Sequence, residues 1–131
     1  MKIICQKVKY AICKTETDIL NIIGYGLVIF VGVNENDTIE NVEFLAKKVL
    51  GIKIYDMATK TVIEKNQDIL LIFEKKLSDT IVKSKAEEIY NLFYEKLTDG
   101  YPCGVVRRGS FEMSFKINIC NQGPFTIILN K

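Results

Sequence analysis

The chain has 131 residues, of which 48% are hydrophobic and 26% are charged, a composition typical of a folded domain rather than of a disordered or linker-rich chain. It contains no histidine, which excludes Ser-His-Asp and Cys-His nucleophile systems, His-ligated zinc and imidazole acid–base chemistry. The net charge of +2 is too small to indicate a class of partner, and the length predicts one domain over residues 1–131.

Eight strands are predicted from runs of apolar residues that either alternate with polar ones or are continuous. A continuous run such as Leu27–Val33 indicates a strand buried on both faces, whereas the strict alternation over Phe111–Ile119 indicates a half-buried antiparallel strand. In chain order the predicted strands are Lys2–Cys13, Ile19–Ile23, Leu27–Val33, Ile52–Asp56, Asp68–Phe73, Cys103–Val106, Phe111–Ile119 and Phe125–Leu129.

Two amphipathic helices are predicted between these strands. Asp37-Thr38-Ile39-Glu40 reads as a capping box with Asp37 as N-cap, and apolar residues at helical spacing extend the helix from Thr38 to Leu50. Ser84-Lys85-Ala86-Glu87 reads as a second capping box, and its helix closes at Asp99-Gly100. Since strands outnumber helices and do not alternate with them one for one, we expect an α+β fold with a mixed or antiparallel sheet rather than a doubly wound parallel one.

Cofactor, metal and membrane signals are weak throughout the chain. Gly24-x-Gly26 lacks the third glycine and the helix of a dinucleotide site, so a hairpin turn is favoured, and the sequence has no phosphate-binding P-loop motif. The four cysteines form no C-x-x-C pair, which favours buried thiols in a cytoplasmic protein over two disulfides. We therefore expect no cofactor and no metal. We also expect no membrane partner, because no secretory signal and no run of about 18 apolar residues is present.

Two local features are candidates for binding. Arg107-Arg108 with Lys116 makes a small basic site, for which a solvated sheet edge is favoured over a phosphate contact. Asn121-Gln122-Gly123-Pro124 predicts a turn, and Gly123-Pro124 is a candidate for a cis peptide because only X–Pro bonds adopt cis at low cost. On these residues alone an ordinary turn is favoured.

Several segments taken together resemble the D-aminoacyl-tRNA deacylase family, also called D-tyrosyl-tRNA deacylases. The end of the chain, Asn121-Gln122-Gly123-Pro124-Phe125-Thr126, is similar to that family's Asn-x-Gly-Pro-x-Thr motif. The resemblance covers nearly the whole chain and is weakest in the middle. The other matching segments are Ile4–Val8, Gly24–Val33, Asp37-Thr38 and Lys48–Tyr55.

The resemblance implies a homodimer of barrel-like α+β subunits that acts on the aminoacylated 3′ end of tRNA. Members hydrolyse the ester between a D-amino acid (or glycine) and the terminal adenosine, without a metal, and much of the chemistry is credited to the RNA 2′-hydroxyl. In that family a cis Gly-Pro turn, here Gly123 and Pro124, reaches into the partner's pocket. Its carbonyl groups recognise the configuration of the substrate's α-carbon and thereby exclude L-amino acids. The substrate-binding residues implied by this resemblance are Gly123, Pro124 and Phe111.

The chain departs from the family pattern along one wall of that site. The family's Ser-Gln-Phe-Thr segment is replaced by Phe73, Glu74, Lys75 and Lys76, so the catalytic residues are not assigned. Glu74 lacks the two N–H donors of an amide and adds negative charge where a polyanion docks. The family's basic loop is reduced to Leu77–Lys83, and Glu112-Met113 replaces small residues beside the pocket.

Two hypotheses therefore remain open. The first is a chiral-proofreading hydrolase, a D-aminoacyl-tRNA deacylase with an unusual pocket, favoured by the retained Gly123-Pro124 motif. The second is a catalytically inactive paralogue that keeps the dimeric scaffold as an RNA-binding or protein-interaction module, favoured by the Phe73-Glu74 replacement.

Overall fold

The structure is a computed structural model that describes residues 1–75, 78, 81–111 and 116–131, with Pro124 described by its backbone only. Six strands and two helices form within these residues. The strands are β1 (Lys2–Lys14), β2 (Ile19–Ile23), β3 (Gly26–Gly32), β4 (Asp68–Phe73), β5 (Val106–Arg108) and β6 (Lys116–Asn130). The helices are α1 (Ile39–Gly51) and α2 (Lys83–Gly100).

The long strand β1 organises a mixed sheet. One of its edges pairs antiparallel with β3 and then with β2, and its other edge pairs antiparallel with β6. Beyond β3 the sheet continues in parallel through β4 to β5. The sheet curls into a nearly closed barrel, and the Asn21 side-chain amide on β2 donates a 2.7 Å hydrogen bond to the Arg108 carbonyl on β5. The predicted α+β class with a mixed sheet is confirmed.

The continuous apolar strands supply both faces of the sheet with core residues, as their sequence predicts. In β4, Ile69 and Leu71 face the two helices, whereas Leu70 and Ile72 face the barrel interior with Val28. Alternate residues of one strand therefore belong to two separate apolar clusters, which fixes the register of the sheet because a slip of one residue exchanges them.

The two helices pack their predicted faces against one side of the sheet. The buried residues of α1 are Val42, Leu45, Ala46 and Val49, and those of α2 are Ala86, Ile89, Tyr90, Phe93 and Leu97. These positions recur at three- and four-residue spacing, so each helix buries one stripe.

Both predicted capping boxes are wrong in detail. Thr38, not Asp37, is the N-cap of α1, and the Asn41 side chain accepts a 2.9 Å hydrogen bond from the Thr38 N–H. The Asp37 carboxylate is used elsewhere, because it accepts hydrogen bonds from the Met1 amine at 2.6 Å and from the Asn34 N–H at 2.7 Å. The helix α2 begins at Lys83 with Val82 as N-cap, so Ser84 lies inside the helix.

Two predicted strands in the middle of the chain are also corrected. Ile52–Asp56 is not a strand, because Asp56, Met57 and Ala58 take positive φ and turn the chain so that Tyr55 bridges to Lys60. The predicted strand Cys103–Val106 is shifted to β5, since the Gly104 N–H donates to the Tyr101 carbonyl in a turn.

The end of the chain also differs from its prediction, in that the turn at Asn121–Pro124 does not separate two strands. The strand β6 runs from Lys116 to Asn130 along the full length of β1. Residues 112–115 of the predicted Phe111–Ile119 strand, including Glu112 and Met113, lie outside the described residues.

Candidate functional site

A bulge in β6 carries the predicted Gly-Pro motif. On β6, Asn121 pairs with Val8 and Thr126 pairs with Gln6, so the four residues 122–125 stand opposite the single residue Lys7. Gly123 has a φ of 124°, a conformation that residues with a Cβ rarely adopt. The bulge therefore explains why glycine is required at position 123, while the cis state of the Gly123–Pro124 bond stays a prediction.

Lys7 lies beside this bulge and ties it to the segment after α1. Its ammonium group donates a 3.0 Å hydrogen bond to the Ile54 carbonyl. The same nitrogen lies 4.6 Å from the ring centroid of Tyr55 and 5.6 Å from that of Phe125. Both distances are within the range of cation–π attraction. Lys7 thus joins β1, the bulge and the loop that follows α1.

The Tyr55 ring lies beneath the Lys7 ammonium. Only 4% of the residue is exposed, and among the described residues its hydroxyl has no hydrogen-bond partner. Burial raises the pKa of the Tyr55 hydroxyl, and nearby Tyr101 and Cys5 raise it further, so the group stays neutral. Sequence reasoning missed both Lys7 and Tyr55. Their nearness to Gly123 depends on pairing between the two ends of the chain.

The second part of the predicted site is the wall at the end of β4. The Phe73 ring packs against Phe111 with centroids 4.4 Å apart and against the edge of Tyr90 at 5.8 Å. The structure therefore brings together Phe73 and Phe111, two of the predicted site residues. The ring at position 73 stands where the family resemblance places a small hydroxyl.

Tyr90 of α2 anchors this wall from behind. Its buried hydroxyl lies 3.1 Å from the Leu71 carbonyl and 3.0 Å from the Gly109 carbonyl, so one donor serves two acceptors. Burial raises the pKa of Tyr90, which keeps the proton on the hydroxyl. We call Phe73, Tyr90 and Phe111 the aromatic wall.

The segment after the aromatic wall is bound to the end of β3. The Glu74 N–H donates a 2.9 Å hydrogen bond to the Val31 carbonyl. The Ser78 hydroxyl accepts from the Val33 N–H at 3.0 Å and donates to the Glu74 carbonyl at 3.2 Å. Lys75 is exposed, and Lys76 lies outside the described residues.

The bulge and the aromatic wall lie far apart within one chain. On β4, Phe73 lies four residues beyond Ile69. Ile69 pairs with Leu27 of β3, and Leu27 pairs with Lys7 of β1, which stands opposite the bulge. Strand spacing places the two features roughly 13 Å apart along the strands and roughly 14 Å apart across three strand pairings. Measured along the sheet, the bulge and the aromatic wall are therefore separate features of one chain.

The predicted basic site is divided in the same way. The guanidinium of Arg108 lies 4.4 Å from the ring centroid of Tyr94 and 2.5 Å from the Asn91 side-chain oxygen, both on α2. Lys116 pairs instead with Lys14 at the edge formed by β1 and β6. Arg108 is thus engaged by its own chain, which weakens the case for a joint phosphate site.

Metal, thiol and membrane chemistry find little support in the part of the chain that the structure describes. All four cysteines are free, as predicted, but only Cys5 and Cys13 are buried, and Cys103 is exposed. Burial raises the pKa of the Cys5 thiol to about 12, so it is protonated near neutral pH. Within the described residues, no group of three His, Cys, Asp or Glu side chains is arranged to hold a metal ion. No described helix is long and apolar enough to cross a membrane.

Together, a nearly closed mixed barrel backed by two helices and a Gly-Pro bulge in its last strand define the D-tyrosyl-tRNA deacylase class of fold. The family model described as D-Tyr-tRNA(Tyr) deacylase matches residues 4–130. The chain therefore belongs to this family.

Curated relatives agree along almost the whole chain. A Listeria innocua protein named D-aminoacyl-tRNA deacylase is 30% identical over 147 aligned positions, covering 99% of this chain and 96% of the relative. A Drosophila melanogaster protein of the same name is 28% identical, covering 98% and 91% of the two chains.

Solved structures agree on the fold. The c-Myc DNA unwinding element binding protein superimposes with a TM-score of 0.94 at 26% identity, over 100% of this chain and 99% of that one. A probable eukaryotic D-amino acid tRNA deacylase superimposes with a TM-score of 0.82 at 14% identity, over 98% and 97% of the two chains, which supports the fold alone.

Proposed function

We propose that this protein is a D-aminoacyl-tRNA deacylase that hydrolyses the ester between a D-amino acid, or glycine, and the 3′ adenosine of tRNA. The observation that carries the proposal is the Gly123 bulge, held at positive φ opposite Lys7 in a chain that matches the family model over residues 4–130. Water attacks the ester carbonyl, and the products are the free amino acid and the tRNA 3′-hydroxyl.

The chemistry of the described side chains fits a reaction that the substrate assists. The sequence has no imidazole, and the Cys5 thiol and Tyr90 hydroxyl keep their protons near pH 7. We therefore assign the proton transfer to the RNA 2′-hydroxyl and substrate orientation to backbone groups of the bulge. The carbonyl groups of Gly123 and Pro124 then select the substrate by the configuration of its α-carbon.

The proposed active site lies at a homodimer interface, with the bulge of one subunit facing the aromatic wall of its partner. Within the described residues β6 pairs with β1 alone, so a 15-residue strand keeps one edge open. Open edges of this length are usually covered. Phe125 and Ile128 on β6 are 37% and 54% exposed, which supports coverage by a second copy.

A direct assay tests the reaction. The purified protein is incubated with D-aminoacyl-tRNA, glycyl-tRNA and L-aminoacyl-tRNA, and release of the amino acid is measured. We expect cleavage of the first two and not of the third. An absence of cleavage of every substrate at high protein concentration would contradict the proposal.

Two glycine variants test the role of the bulge. Gly123→Ala strains a backbone with a φ of 124°, so we expect a loss of cleavage of D-aminoacyl-tRNA. Gly24→Ala is the matched control, because an added Cβ there meets only the Asp68 carboxylate at 3.8 Å.

Sedimentation or light scattering tests the proposed homodimer. Either method should give twice the mass of one chain for the wild-type protein, and a monomer would contradict the shared site.

One observation favours a second candidate, a catalytically inactive RNA-binding module. The Phe73 ring packs against Phe111 and occupies the wall where the resemblance places a hydroxyl. This candidate predicts salt-sensitive tRNA binding without cleavage by the wild-type protein. It also predicts that the double variant Phe73→Ser/Glu74→Gln gains cleavage, which separates it from an enzyme that already turns over.

A further inference from the structure

One face of α1 carries a cluster of lysines around an exposed aromatic ring. Phe44, Lys47 and Lys48 have the i, i+3, i+4 spacing of one helical face, and all three are exposed. They line a groove with Lys53, which follows the helix. The Lys131 ammonium lies 4.6 Å from the centroid of the Phe44 ring. We call these five residues the lysine patch.

The positive charges of the lysine patch are poorly balanced by the protein itself. None of the ion pairs between described residues includes a lysine of the patch. The nearby Glu43 of α1 is paired with Lys96 at 3.4 Å. Lys53 helps to lower the pKa of Glu64, but the main cause of that shift is the hydrogen bond from the Thr61 N–H.

Stabilisation of the helix end does not account for the whole patch. Lysines in the last turn of a helix interact favourably with its dipole, and Lys48 has that position in α1. Lys53 and Lys131, however, lie outside the helix and still extend the same surface. A chain with a net charge of only +2 thus places three lysines along one groove and a fourth over the Phe44 ring that lines it.

The lysine patch is connected to the bulge through the residues that follow Lys53 in the chain. Lys53 is followed directly by Ile54, whose carbonyl accepts the hydrogen bond from Lys7, and by Tyr55, whose ring lies under the Lys7 ammonium. The centroid of the Phe125 ring, in the bulge, lies 5.6 Å from the same ammonium. Residues 53–55 therefore link the patch to the bulge, and a long anionic ligand on the patch would follow them.

From this placement we infer that the lysine patch binds the sugar–phosphate backbone of RNA and directs its 3′ end toward the bulge. The lysines contact phosphates, and the Phe44 ring offers a platform for an unpaired base. The identification of this RNA as tRNA rests on the proposed function, whereas backbone binding by the patch does not.

A charge-matched pair of variants tests the inference. The triple variant Lys47→Gln/Lys48→Gln/Lys53→Gln removes three charges from the patch. The control Lys60→Gln/Lys65→Gln/Lys96→Gln removes three lysines that are paired with Glu64, Asp56 and Glu43. Both variants have the same net charge, and thermal melting confirms that each is folded.

Binding of uncharged tRNA is measured by fluorescence anisotropy between about 50 and 200 mM salt. Each lost phosphate contact lowers the slope of log K against log salt by roughly 0.7–0.9, so we expect the patch variant to lose about 2 to 3 units of slope. The control should keep the wild-type slope. An unchanged slope in the patch variant, an equal loss in the control, or no tRNA binding by the wild type would overturn the inference.

A second substrate separates this inference from the proposed function. A D-aminoacyl ester of adenosine has no RNA backbone, so the patch variant should cleave it at the wild-type rate while its KM for D-aminoacyl-tRNA rises. A rise in KM for both substrates would overturn the inference. If the wild type cleaves neither substrate but the slope still depends on the patch, the proposed function fails and the inference stands.

Discussion

Truncation of Phe73 to alanine is expected to destabilise the protein, because the aromatic wall depends on that ring. Phe73 is half-buried and contacts both Phe111 and Tyr90. A fully buried Phe→Ala change costs about 3–5 kcal/mol, and each aromatic pair contributes roughly 0.5–1.5 kcal/mol beyond area burial. Because the Phe→Ala figure already includes the ring pairs, reducing it by about two-fifths for partial exposure gives a loss of about 2–3 kcal/mol.

That loss converts into a measurable shift in melting temperature. An unfolding entropy of about 2.1 cal/mol/K per residue gives roughly 0.28 kcal/mol/K for this chain. The expected decrease in Tm is therefore about 7–11 °C. Urea unfolding at a fixed protein concentration supplies the free energy, since dimerisation makes apparent stability depend on concentration.

Two further variants make the measurement specific to the wall. Phe73→Leu restores most of the volume and removes only the ring pairs, so its cost should be about 1 kcal/mol. Phe44→Ala removes a ring that is 45% exposed and should cost less than Phe73→Ala. A loss below about 1 kcal/mol for Phe73→Ala, or one equal to that of Phe44→Ala, would refute the account of the wall.

Three other changes have defined outcomes. Tyr90→Phe removes the donor to two carbonyls and should cost about 1–2 kcal/mol by urea unfolding; a change within error would show that neither bond matters. Lys7→Met keeps the aliphatic stem but removes one hydrogen bond and the cation–π contacts, so it should cost about 1–2 kcal/mol and slow ester cleavage. The exposed neighbour Lys9→Met is its control, and equal losses would contradict that role. The raised pKa of Cys5, about 12 against an ordinary 9.0, means that the unfolded chain loses this proton first. Its contribution to stability is therefore present below about pH 9 and falls by roughly 1.4 kcal/mol by pH 10, and Cys5→Ala should flatten that decline.

The features predicted correctly from sequence are those that burial sets within one segment. The apolar residues at helical spacing in α1 and α2 are the ones that the helices bury, because a helix packs one stripe whatever lies opposite. The continuous runs of β3 and β4 were likewise assigned as buried strands. These patterns carry their own periodicity, so no knowledge of distant partners is required.

The errors arose where a distant residue decides the local structure. Asp37 resembles a helix cap in isolation, but the Met1 amine lies against its carboxylate. Asn121–Pro124 resembles a turn, but β1 is long enough to pair with β6 on both sides of it. The same reason explains the site: Gly123 was identified through a sequence motif, whereas Lys7 depends on tertiary contacts that no local pattern records.

The separation of the bulge from the aromatic wall links the proposed dimer to the two functional candidates. Within one chain the bulge lies on β6 and the aromatic wall at the end of β4, with β1 and β3 between these strands. In the proposed symmetric dimer, each shared site therefore takes a bulge from one subunit and a wall from the other. The Phe73 ring is then present in both sites, and neither site keeps the hydroxyl that the family pattern places there. Cleavage by the wild type would therefore show that backbone groups of the bulge and the RNA suffice without that hydroxyl.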